Sequence, residues 1–111
     1  MDPAESDRRL IERILGDYAR IPYSHGDFRL QTVFDRDQDH YLLMIVGWDG
    51  IHREHGCLVH VDIIDGKFWI QRDGTEYSIA QELLDAGIPK NRVVLAFRSL
   101  EKRRLTDFAV T

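Results

Sequence analysis

A single cysteine, Cys57, stands among 111 residues, so no disulfide can close within the chain. Small secreted domains normally need several, and a reducing cytoplasm is therefore the expected compartment. Long hydrophobic runs are missing as well. The longest apolar stretch, Leu42 to Val46, is far short of the roughly 20 residues of a membrane helix, so no membrane association is expected. Positive charge is in short supply, with 15 Lys and Arg against 19 Asp and Glu and a formal charge of −4. That is the wrong sign for a chain that wraps nucleic acid by itself, so DNA is expected to be met indirectly. Residues 1–22 carry acidic side chains from the second position onward and no continuous apolar segment, which predicts no signal peptide. Glycine-rich dinucleotide loops, P-loops, HExxH and GxSxG patterns are absent too. No catalytic set and no cofactor are expected.

What is present describes one folded domain, residues 1–111. Hydrophobic residues make up 43% and charged residues 31%, with 8 Gly and 3 Pro, which excludes collagen-like, low-complexity and strongly disordered classes. Asp2, Pro3 and Glu5 mark a helix start, with Asp2 as N-cap and Pro3 in the first turn. Leu10, Ile11, Ile14, Leu15 and Tyr18 then recur at helical spacing, and Pro22 stops the helix. Alternation from Phe28 to Phe34 predicts a strand, and the polar run 36–39 a hairpin loop. Tyr41 to Trp48 is apolar at both parities, as in a strand covered on both faces. Asp65-Gly66 suits a two-residue turn with both residues at positive φ. That turn pairs Ile64 with Lys67, Ile63 with Phe68, Asp62 with Trp69, Val61 with Ile70 and His60 with Gln71. One face then carries Val59, Val61, Ile63, Phe68 and Ile70, and the other Leu58, His60, Asp62, Trp69 and Gln71.

Ser78 followed by Gln81 opens a second, shorter helix carrying Ile79, Leu83 and Leu84, with Thr75 as an alternative cap, and Gly87 and Pro89 end it. Val93 to Phe97 reads as a short buried strand. The tail from Arg98 is expected to be irregular, with a short strand at Phe108 to Val110. The fold class is therefore α+β: an N-terminal helix, an antiparallel sheet of about four to five strands built from hairpins, and a shorter helix near the C-terminal third.

Four side chains of metal-ligating type, His52, His55, Cys57 and His60, fall within nine residues and raise a small metal-dependent enzyme as an alternative function. Strand parity separates His52 and His60 from His55 and Cys57 unless Gly56 marks a bulge. No metal site is therefore expected. Cys57 is in phase with Val59, Val61 and Ile63, which predicts a packed core thiol and no nucleophile. Asp35, Asp37 and Asp39 lie in a turn, where carboxylates bond their own backbone. Arg98, Lys102, Arg103 and Arg104 form the one basic cluster and are the candidate phosphate contacts should the chain bind DNA directly. Trp69 on the mixed face with His60 and Asp62, together with Trp48, is the candidate partner interface, because Trp is enriched at interface centres. A strand apolar on both faces in so small a domain further predicts a homodimer or higher homo-oligomer.

The segments VGWDG (46–50), HGCLVHVDIIDGKFWIQRDGTE (55–76), IAQELLDAGIPKNRVVLAF (79–97) and TDFAV (106–110) resemble the XisI family of cyanobacterial proteins over nearly the full length. The resemblance implies an accessory factor controlling excision of the fdxN element, a DNA segment removed from a nitrogen-fixation operon during heterocyst differentiation. It also implies a XisH-like companion protein. Tyr77-Ser78, Leu100 and Leu105 depart from the family pattern, at a helix cap and in the tail. The family carries no known catalytic set, and none is implied here.

Overall fold

The computed structural model describes residues 2–22 and 27–111. Helix α1 spans Pro3–Ala19, and the Asp2 carboxylate accepts the Ala4 amide at 3.1 Å. This satisfies one of the amides that a helix start leaves unpaired. Strands β1 (Asp27–Asp35), β2 (His40–Asp49), β3 (His52–Ile64) and β4 (Lys67–Asp73) follow as antiparallel neighbours in chain order. The β3–β4 turn places Asp65 at φ 51° and Gly66 at φ 77°, the conformation that Asp-Gly was expected to supply. Helix α2 (Ile79–Asp85) is capped by Ser78, whose hydroxyl accepts the Gln81 amide at 3.3 Å, and Gly87 ends it at φ 96°. No helix among the described residues is long and apolar enough to cross a membrane.

Two parts of the C-terminal third differ from expectation. The strand anticipated at Val93–Phe97 contracts to β5, Val93–Val94, and it joins β4 in parallel. The chain reaches it by crossing over through α2, and a crossover delivers a strand in the direction of its predecessor. The tail holds a short helix α3, Leu100–Arg103, capped by the Ser99 hydroxyl on the Lys102 amide. The strand expected at 108–110 is a single bridge between Val94 and Ala109.

The core lies on one side of the sheet. Ile11, Ile14 and Leu15 of α1 and Ile79 and Leu83 of α2 pack with Tyr41, Leu43, Val59, Val61, Phe68 and Ile70, all buried. Buried Asp7 of α1 pairs with Arg92, whose Nε also donates to the Gly66 carbonyl at 2.9 Å, so the helix is tied to the β3–β4 turn.

Two irregularities decide which side chains share a face. From Asp49↔His52 to Met44↔Cys57 the β2–β3 pairing follows the two-residue turn at Gly50-Ile51, but from Leu43↔Val59 onward it is displaced by one residue, leaving Leu58 as a bulge. The Leu58 carbonyl accepts the Gly74 amide at 2.8 Å, and the Leu58 side chain packs on the core. Leu58 therefore does not belong to the mixed face where the sequence placed it. A second displacement between β3 and β4 sets His60 opposite Arg72 and not Gln71, while the other four expected pairs hold.

Candidate functional site

The face of the sheet away from α1 and α2 carries Leu42, Met44, Val46 and Trp48 along β2, with Val33 beside them on β1. Leu42, Met44 and Val46 are half-buried, whereas Val33 and Trp48 are 50% and 48% exposed. The expectation that both faces of β2 are covered is met on the core side alone. Arg53 lies over the Trp48 ring at 5.2 Å and donates to the Gly47 carbonyl at 3.4 Å, giving that end of the stripe a cationic edge.

At the other end of the stripe four polar side chains converge. Asp62 is buried, and its Oδ1 accepts from His40 Nδ1 at 2.6 Å and from His60 Nε2 at 2.7 Å. Its Oδ2 accepts from Gln71 Nε2 at 3.3 Å. An ionised carboxylate only accepts, so the network assigns the proton to Nδ1 of His40 and to Nε2 of His60. The opposite ring nitrogens are left as lone-pair donors.

The geometry follows from the fold. His60 and Asp62 are two residues apart on one strand and so share a face, and His40 is the direct cross-strand partner of Asp62. The residues flanking His40 are anchored on the core side. Arg8 of α1 grips Asp39 at 2.8 and 3.2 Å, and the Tyr41 hydroxyl donates to the same carboxylate at 2.8 Å. The Arg8 guanidinium holds the Asp39 carboxyl below its usual range, and burial raises the Tyr41 phenol. Asp39 and Tyr41 thus fix the backbone on either side of His40.

The hydrogen bond to Asp62 raises the His40 imidazole above its ordinary value. Any stability this contact supplies is then complete below the unfolded histidine value of about 6.5 and is lost as pH rises through the higher folded value. An NMR titration of the His40 ring is expected to show a midpoint above 6.5, and Asp62→Asn to return it towards the ordinary value. A His40 midpoint indifferent to Asp62→Asn would contradict the contact.

His40 is the residue that sequence reasoning missed. The quartet His52, His55, Cys57 and His60 does not assemble. His55 pairs with Val46 and Cys57 with Met44, which puts both on the face of His60, while His52 pairs with Asp49 on the other. Among the described residues the one group of three or more ligand-type side chains within 4.8 Å is His40, His60 and Asp62. The bulge at Leu58 also overturns the placement of Cys57 in phase with Val59. The thiol is half-buried on the open face and donates to the Val59 carbonyl at 3.2 Å, and burial pushes it above the ordinary thiol range. It is poorly suited to be a nucleophile all the same.

Trp69 is half-buried, and Arg103 of α3 lies over its ring at 5.8 Å. The same guanidinium donates to the carbonyls of Arg98, Val110 and Ala96 at 3.0, 3.3 and 3.3 Å. Arg103 is therefore committed to holding the tail over the sheet, whereas Arg98, Lys102 and Arg104 stay exposed.

The family model for the XisI protein matches residues 1–110. The chain belongs to the XisI family. Two solved XisI structures from Anabaena variabilis superpose on it closely. One, a XisI-like protein, is 35% identical with a TM-score of 0.88, covering 97% of this chain and 99% of its own. The other, the fdxN element excision controlling factor XisI, is 34% identical with a TM-score of 0.81, covering 99% of this chain and all of its own. No curated protein matches. The α+β fold and the resemblance read from residues 46–110 thus agree with the XisI assignment.

Proposed function

We propose that the chain is a non-enzymatic accessory factor of the cytoplasm. It acts through a XisH-like protein partner in excision of a DNA element or a related DNA transaction, and meets DNA indirectly. The observation that carries this reading is the half-exposed stripe Leu42, Met44, Val46 and Trp48 on the face that α1 and α2 leave open. A contiguous apolar patch rimmed by polar groups is what a protein interface requires. The charge of −4 and the use of Arg103 as a tail clamp favour a protein partner over a nucleic-acid backbone. The His–Asp–His group contains a base and its orienter, but neither ring bonds a hydroxyl or thiol among the described residues. It lacks the nucleophile of a hydrolytic triad.

Co-expression with a XisH-like protein, followed by affinity capture, is expected to yield a stable complex. Trp48→Ala should weaken that complex by roughly 30-fold, as for an aromatic residue worth about 2 kcal/mol at an interface centre. The circular dichroism spectrum should not change, since Trp48 is outside the core. No complex with wild-type protein would sink the proposal. Self-association through the same stripe is a second expectation, and light scattering that finds only monomer would remove it.

A further inference from the structure

We propose that His40, His60 and Asp62 bind a divalent transition-metal ion of the zinc class. The donor set is two imidazoles and one carboxylate, which suits zinc and its neighbours and does not suit calcium or magnesium, whose shells are built of oxygen. Their ligand atoms all lie within 4.8 Å of one another. They are carried by two hydrogen-bonded strands, β2 and β3, so the backbone beneath them is fixed.

The step from hydrogen-bonded triad to metal site is small. Asp62 Oδ1 sits 2.6 Å from His40 Nδ1 and 2.7 Å from His60 Nε2. Bonds of roughly 2.0–2.2 Å in tetrahedral array separate ligand atoms by about 3.3 Å. A cation replacing the two shared protons therefore has to open each contact by about 0.6 Å. Both rings have the freedom to do so, because the His40 and His60 side chains are 46% and 32% exposed. The carboxylate does not need to move. Asp62 is buried, and Gln71 holds its second oxygen from β4, the kind of supporting bond that orients a metal ligand. Three protein ligands leave a coordination position free for water or for a side chain of a bound protein.

The site is distinct from the His52, His55, Cys57 and His60 set and shares only His60 with it. The two can be told apart directly. Full-length protein stripped with a chelator and titrated with Zn²⁺ by calorimetry is expected to bind one ion. Titration with Co²⁺ should give the absorption of a nitrogen- and oxygen-ligated ion without a thiolate band. His40→Ala and Asp62→Asn should each weaken Zn²⁺ binding by about 100-fold or more, since losing a supporting partner alone costs roughly 10–100-fold. His52→Ala and His55→Ala should leave it unchanged. Binding that survives His40→Ala and Asp62→Asn, a thiolate band with Co²⁺, or no binding by the wild-type protein would each overturn the proposal. Circular dichroism of the variants separates loss of a ligand from loss of fold. Wild-type protein should also gain thermal stability with added Zn²⁺, and folded Asp62→Asn protein should not.

Discussion

Phe68→Ala is expected to lower the free energy of unfolding by about 3–5 kcal/mol, against a total of roughly 5–15 kcal/mol for a domain of ordinary stability. Phe68 is fully buried near the start of β4, opposite Ile63 on β3 and Val93 on β5. Truncation loses the transfer energy of the ring and leaves a cavity between elements that cannot collapse, because β3, β4 and β5 are held by their ladders. A second loss follows. The Arg92 guanidinium lies 5.8 Å from the ring centre and pairs with buried Asp7. Removing the ring loosens the seat of the cation that neutralises a buried carboxylate. Phe97 is the control, being 49% exposed with Arg98 over its ring. Phe97→Ala should shift stability by no more than about 0.5 kcal/mol. Denaturant titrations of the two variants giving similar midpoints would show that Phe68 is not a core residue.

Local chemistry made much of this fold readable. The cap at Asp2, the stripe through Ile11, Ile14 and Leu15, and the two positive φ angles of Asp65-Gly66 each depend on a few neighbouring residues. Each was found where the sequence placed it. The elements that escaped depend on something remote. Val93–Phe97 is apolar enough for a full strand, but β5 pairs only where β4 runs beside it. The tail helix needs little beyond Ser99 and four residues, too few for periodicity to show.

The candidate site was half legible, and the reason is a count of one. A two-residue turn at Gly50-Ile51 continued without interruption would set His40 opposite Val61, one residue away from Asp62. The apolar pattern demands otherwise, since Tyr41 and Leu43 must face Val61 and Val59 to build the core. Turn and pattern disagree by one residue, and a bulge reconciles them. That disagreement was the signal in the sequence, and Leu58 absorbs it. The same displacement brings His40 to Asp62 and moves Cys57 off the core face. A bulge carries no residue signature of its own, so strand parity counted through residues 57–60 comes out one residue off.

Gly47→Ala is expected to cost at least about 3 kcal/mol, the upper end of what overpacking a well-ordered interior exacts. Gly47 faces the core side of β2 opposite Phe28, where β1 begins. A Cβ there would stand 2.0 Å from the Asp27 carbonyl oxygen and 2.7 Å from the Phe28 Cα. Both obstacles are backbone, so no side-chain rotation can relieve them, and β1 must move away from β2. The requirement is for space and not for an unusual dihedral angle, which makes Gly56 the natural comparison. Gly56 lies on the neighbouring strand opposite Ile45, and a Cβ added to it meets nothing within 4 Å. Gly56→Ala should leave the native state intact and reduce the freedom of the unfolded chain, raising stability by about 0.5–1 kcal/mol. The same substitution on adjacent strands thus carries opposite signs. Chemical denaturation of both variants measures the difference, and a Gly47→Ala chain that fails to fold meets the expectation. A Gly47→Ala protein within 1 kcal/mol of wild type, on the order of the smallest overpacking costs, would show that β1 does not approach β2 as described.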